Sequence, residues 1–191
     1  MKRIAVFASG SGSNFQSIVD ENQVAYEVVL LVCDQPKAKV IERGNKADIP
    51  TCVFQPKSYV KKEVFEKEII QQLFAYQVDF IVLAGYMRLI GPTILSAYEG
   101  KIVNIHPSLL PAFPGKDAIG QALDKNVKVT GVTVHFVDEG MDTGPIIAQE
   151  PIYVHQEDSR VTLQQKIHEI EHHLYPKVIQ DLCLSSEKES V

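Results

Sequence analysis

The sequence predicts a single-domain α/β protein with a mainly parallel, Rossmann-like twisted sheet and helices on both faces. Three observations carry that reading. Apolar runs of strand length alternate with amphipathic runs of helical period along most of the chain. A glycine-rich turn follows the first apolar run and opens a helix. The 191 residues, 45% hydrophobic, with no internal repeat or linker, suit one core. The domain is expected over residues 1–184, with the polar stretch 185–191 as a disordered tail.

Residues 4–9 read as a buried strand that empties into Ser9-Gly10-Ser11-Gly12-Ser13-Asn14, ahead of a helix with Phe15, Ile18 and Val19 on one side. Strand, glycine turn and helix N-terminus make an anion site, because free amides and the helix dipole both favour negative charge. A plain tight turn explains the glycines equally well. Phe15 stands where a dinucleotide fingerprint needs its third glycine, and no Lys follows as in a P-loop.

A second strand over 28–33 ends at Asp34, which is read as a strand-end cap. It also lies about where a ribose-binding acid falls in dinucleotide folds. A helix over 37–47 and a short strand over 51–54 follow. Ser58 is expected to cap a helix through Tyr76, with Val60, Val64, Phe65, Ile69, Leu73 and Phe74 toward the sheet. The apolar strand 80–84 runs into Gly85-Tyr86-Met87-Arg88-Leu89-Ile90-Gly91, a loop suited to a flat, largely apolar ligand. Arg88 there can bind a carboxylate or form a surface ion pair.

After a short helix near 93–99 comes the stretch Ile102-Val103-Asn104-Ile105-His106-Pro107-Ser108-Leu109-Leu110-Pro111. Strand alternation puts Asn104 and His106 on one face. The prolines and Gly115 then forbid helix and stiffen the loop. An amide donor and an imidazole on a rigid strand end suit the polarisation of a carbonyl.

A helix over 117–125, capped by Asp117, leads to strand 129–137, whose alternation predicts one exposed face and a structural His135. The following loop, Asp138-Glu139-Gly140-Met141-Asp142-Thr143-Gly144, holds three carboxylates. It lacks EF-hand spacing. A carboxylate from it beside His106 would orient the ring. Strand 146–153 contains Pro151 and so belongs at an edge. A final helix over 159–183 should kink or break at Pro176. His168 and His172 on it match H-E-x-x-H, but a zincin needs a third ligand. They are read, with His173, as solvent-facing, and no metal is expected.

The net charge is −5 and basic residues are dispersed, which argues against nucleic-acid and membrane-surface partners. Cys33, Cys52 and Cys183 are odd in number and far apart, which fits reduced thiols in the cytoplasm. Cys33 reads as a packed small hydrophobe. The start of the chain lacks a signal-peptide core.

The motifs at 9–14, 84–88, 104–111 and 138–145, in this order, resemble the folate-dependent phosphoribosylglycinamide formyltransferase family. The Asn-x-His-Pro-Ser-Leu-Leu-Pro motif alone is shared with methionyl-tRNA formyltransferases and formyltetrahydrofolate deformylases. The resemblance implies the formyltransferase fold and small-molecule substrates: a phosphorylated ribonucleotide amine, and 10-formyltetrahydrofolate as formyl donor. It implies de novo purine synthesis and a monomer or homodimer.

Residue by residue, the resemblance implies Asn104, His106 and Asp142 as catalytic. Gly12, Ser13, Asn14 and Glu171 would bind glycinamide ribonucleotide. Met87, Arg88, Leu89 and Ile90 would line the pterin pocket under a loop of Asp138, Glu139, Gly140 and Met141, with Asn104 also touching the folate. Lys62 falls where the family's folate-contacting Arg is expected, keeping charge but losing the bidentate fork. Two other classes share these ingredients: a hydrolase releasing formate from the same folate, and a non-enzymatic folate- or nucleotide-binding regulator.

Overall fold

The computed structural model describes residues 1–21 and 24–188, with side chains as far as Ser185. In chain order the elements are β1 (Lys2–Ala8), α1 (Ser13–Asp20), β2 (Tyr26–Cys33), α2 (Lys39–Lys46), β3 (Thr51–Val53) and α3 (Lys62–Ala75). Then come β4 (Phe80–Leu83), α4 (Pro92–Ala97), β5 (Ile102–His106), α5 (Ala118–Asp124), β6 (Val129–Phe136), β7 (Ile146–Tyr153) and α6 (Arg160–Lys188).

The seven strands form one sheet in the order β3-β2-β1-β4-β5-β6-β7. Pairing is parallel from β3 to β5 and antiparallel for β5/β6 and β6/β7. Strand alternation divides the core. On β1, Ile4, Val6 and Ala8 join one cluster with Phe15, Ile18, Ile167 and Tyr175. Ala5 and Phe7 join the other with Phe65, Ile69, Leu73 and Ile94. Cys33 is buried in the first cluster, as a small hydrophobe.

Asp117 caps α5 as expected, its carboxylate accepting the Gly120 N–H. Pro151 lies in the edge strand β7, opposite Gly131. Other local expectations change. Pro56 starts a 3-10 turn over Pro56–Ser58, so α3 begins only at Lys62 and Ser58 does not cap it. Val60, Val64 and Phe74 are exposed, while Phe65, Ile69 and Leu73 alone of the expected set reach the core. Phe74 stacks on Tyr98 instead. Strand β6 is buried on both faces for most of its length.

Helix α6 continues through Pro176 without a break. An interior proline is costly, but Tyr175, Val178 and Ile179 beside it are buried against the sheet. Tyr175 Oη donates to the carbonyls of Leu83 (2.9 Å) and Val103 (3.2 Å), tying α6 to β4 and β5. Tyr175→Phe should lower stability by about 1–2 kcal/mol, read as a denaturation midpoint shifted at constant slope. The expected tail begins as helix through Lys188, and 189–191 lie outside the described residues. Among the described residues, no helix is long and apolar enough to cross a membrane.

Candidate active site

One cavity of about 1030 Å³ opens at the carboxyl ends of β1, β4 and β5. The sheet is staggered so that Leu83 is level with Asn104, and Asn104 with His135. His135, next to the last residue of β6, is therefore level with the carboxyl end of β4, although β6 runs the other way.

The glycine turn forms one wall. Gly12 has φ 75° at the N-cap of α1, and a Cβ there would lie 2.5 Å from Val40 Cγ2. Only glycine meets both conditions. Helix α2 fixes the turn: Val40 N–H donates to the Gly10 carbonyl (3.1 Å) and Arg43 Nε–H to that of Ser11 (2.9 Å). No side chain caps α1, so its first-turn N–H groups are left for an anionic ligand.

Helix α6 faces this turn across the cavity. Asn14 Nδ2 donates to Glu171 Oε2 at 3.1 Å, and Asn14 Oδ1 is buried without a hydrogen-bond partner. Burial pushes the Glu171 carboxyl up to about 7, against the lowering effect of Asn14. This raised value means that Glu171 adds stability in full below about pH 4.5, and that the contribution is lost as pH rises toward 7. The stability gained by Glu171→Gln over the parent should therefore grow across that window, by on the order of 3 kcal/mol, then level off. A gain independent of pH in parallel denaturant titrations would contradict it.

The histidines of α6 differ from expectation. His168 and His172 are half-buried and stacked at 5.9 Å, and His168 lines the cavity; only His173 is exposed. Burial lowers the pKa of both stacked rings. Among the described residues no group of three His, Cys, Asp or Glu is arranged to hold a metal.

Asn104, His106 and Asp142 all line the cavity, with His106 beside Asp142 and Asn104 joined to them through His135. His106 Nε2–H donates to the Phe113 carbonyl at 2.8 Å, leaving Nδ1 3.5 Å from Asp142 Oδ2. Loop 107–115 is fixed around that bond. Thr133 Oγ1 donates to the Ser108 carbonyl and accepts the Leu110 N–H, while Gln149 Nε2 holds the Leu110 carbonyl. Asp142 Oδ2 accepts the Gly115 N–H at 2.7 Å. Burial would raise its pKa, but contacts with His135, the Gly115 N–H and the charge His106 can carry outweigh that and hold it low.

His135, expected to be merely structural, belongs to this cluster. It pairs directly with Asn104 across the antiparallel β5/β6 step. Its Nδ1–H donates to the Phe136 carbonyl, so Nε2 accepts one N–H of Asn104 Nδ2 at 3.2 Å. The second amide hydrogen of Asn104 stays available. Asp142 Oδ1 lies 3.6 Å from the same Nε2, within reach of it were the ring protonated.

The third wall is the segment from Ala84 to Ile90. Met87 and Leu89 are exposed and Ile90 is buried. Arg88 is neither free nor a surface pair: its Nε bonds Asp34 Oδ2 at 2.8 Å. Asp34, buried, also accepts Ser9 Oγ at 2.5 Å, and Ser9 Oγ accepts the Met87 N–H at 2.9 Å. Asp34 is thus a node that joins the glycine turn to the third wall. Asp138, Gly140 and Met141 line the remaining side, with Asp138 holding the Gly140 N–H and Thr143 Oγ1. Glu139 is exposed outside the lining, and Lys62 is outside it too.

Residues 2–179 match the family model described as formyl transferase. A Bacillus subtilis phosphoribosylglycinamide formyltransferase is 60% identical over 186 residues, 95% of each chain. The solved glycinamide ribonucleotide transformylase 1 of Geobacillus kaustophilus is 61% identical, covers 96% of this chain and 99% of its own, and superposes with a TM-score of 0.93. A trifunctional purine biosynthetic protein of Drosophila melanogaster is 40% identical over 93% of this chain, which spans 14% of that longer protein. With the cavity, its three walls and the Asn104–His106–Asp142 cluster in the same chain, these matches place the protein in the formyl transferase family, among the phosphoribosylglycinamide formyltransferases.

Proposed function

We propose that the protein transfers the formyl group of 10-formyltetrahydrofolate to the amine of glycinamide ribonucleotide, as a cytoplasmic enzyme of purine synthesis. The observation that carries this is the shared cavity. An anion cradle at Gly12, Ser13 and Asn14, faced by Glu171, opens into the same space as Asn104, His106 and Asp142. The apolar wall of Met87, Leu89 and Ile90 suits the pterin of the donor, with Asp138, Gly140 and Met141 opposite it.

The amine nitrogen attacks the formyl carbon, a C–N bond forms, and the carbonyl oxygen gains negative charge. The free N–H of Asn104 Nδ2 and the positive charge of protonated His106 stabilise that oxygen. His106 suits this role because both ring nitrogens face acceptors: the Phe113 carbonyl and Asp142. Asp142 takes the proton from the attacking amine, directly or through water. The bond to folate N10 then breaks, N10 takes a proton, and the sum of the two transfers leaves no net proton. No metal and no covalent enzyme intermediate is needed in these steps.

The test is turnover of 10-formyltetrahydrofolate followed by the folate spectrum with and without the nucleotide. Formation of tetrahydrofolate only with the nucleotide supports the transferase. Formate release without any amine would identify a hydrolase. Binding of both ligands with no turnover would leave a regulator.

A further inference from the structure

The third wall is held from behind at its far end by a second buried carboxylate. Glu66 on α3 is 2% exposed. Its Oε1 accepts the Gly91 N–H at 2.6 Å and stands 3.8 Å from Lys62 Nζ. Lys62 Nζ in turn donates to the Leu89 carbonyl at 2.6 Å. Oε2 of Glu66 is buried with no hydrogen-bond partner. Burying a carboxylate with one oxygen unpaired is destabilising, and an apolar side chain would serve the core better. The position serves the loop instead: one carboxylate and one ammonium, four residues apart on a helix, hold the backbone at Leu89 and Gly91.

The resemblance gives Lys62 a different task, contact with the folate itself. Its ammonium lies outside the cavity lining, already bonded to a carbonyl of the wall and close to Glu66. We infer that Lys62 and Glu66 are a positioning pair that sets the 89–91 backbone along the folate side of the cavity, and that Lys62 acts through this brace rather than on the carboxylate tail of the donor. The inference rests on the formyl-donor reading above.

Two donors separate the possibilities: 10-formyltetrahydrofolate, and 10-formyltetrahydropteroate, which lacks the glutamate tail. KM and kcat are measured for each with the full-length chain. Lys62→Met should raise KM for both donors by a similar factor, about fivefold, the effect of losing one modest hydrogen bond. kcat and the KM for glycinamide ribonucleotide should stay within about twofold of the parent, and Lys62→Arg should restore most of the loss. Gly91→Ala, whose Cβ would lie 2.6 Å from both Glu66 oxygens, should reproduce the KM effect with Lys62 intact.

A penalty seen only with the glutamate-bearing donor would overturn the inference in favour of a tail contact. No penalty with either donor would overturn it outright. If Gly91→Ala does not fold, the Lys62 variants decide alone, because that side chain is 43% exposed and its loss does not open the core. A parent enzyme that turns over neither donor would instead defeat the functional reading, a result distinct from both.

Discussion

Asp142→Asn is expected to lower kcat for formyl transfer by about a thousandfold, with KM for both substrates nearly unchanged. The substitution keeps the shape and the αL backbone that Asp142 occupies at φ 57°, a region Asn also tolerates. It keeps an oxygen able to accept the Gly115 N–H. What it removes is the charge facing His106 Nδ1 at 3.5 Å and the acceptor for the amine proton. Loss of a positioned base contributes about 10²–10⁴ and loss of an electrostatic partner in a water-poor site a comparable factor. The two overlap in one carboxylate, so they do not multiply. Single-turnover rates against pH give the clearest readout, since the parent should lose activity as Asp142 is protonated and the variant should show no such limb. A variant rate within about tenfold of the parent would remove Asp142 from the chemistry.

Gly12→Ala is expected to raise KM for the nucleotide more than tenfold and to destabilise the protein by about 2–4 kcal/mol. Two penalties act at one atom. Alanine at a positive φ loses about 1 kcal/mol. The new Cβ would also press on Val40, and overpacking adds about 1–3 kcal/mol. Val40 cannot retreat freely, because its own N–H is bonded to the Gly10 carbonyl. Relief has to come from the turn, and turning it re-aims the amides at the start of α1. KM for the folate donor should move less, because Glu66 and Lys62 hold the far end of the third wall independently of the glycine turn. Equal loss for both substrates would mean that the whole cavity has collapsed.

The order of elements, the parallel half of the sheet and the glycine turn were all legible in local patterns of period two and period 3.6. So was the Asp117 cap, which depends on residues within one helical turn. His135 was not legible. Its place in the site comes from the pairing of Asn104 with a residue 31 positions away, and a single strand pattern carries no register. The antiparallel direction of β6 hid in the same way.

Glu66 was missed because a carboxylate at a buried helix position looks like an irregular amphipathic pattern until Gly91 is brought against it. Val60, Val64 and Phe74 misled in the opposite sense, since Pro56 delays the start of α3 and leaves only a narrow stripe against the sheet. Local backbone cost alone predicts a break at Pro176. The contacts of Tyr175, Val178 and Ile179 with strands far away in sequence decide its fate.

Helix α6 covers one face of the sheet with Leu163, Ile167, Tyr175, Val178 and Ile179, and it also carries Glu171, whose partner Asn14 lies 157 residues earlier. During synthesis, therefore, all seven strands emerge before α6 does, and the part of the sheet face that α6 covers is still exposed beside α1. That part is covered only when this segment docks. The same event brings Glu171 to Asn14, so on the proposed function a chain that lacks α6 should both aggregate more readily and bind glycinamide ribonucleotide more weakly.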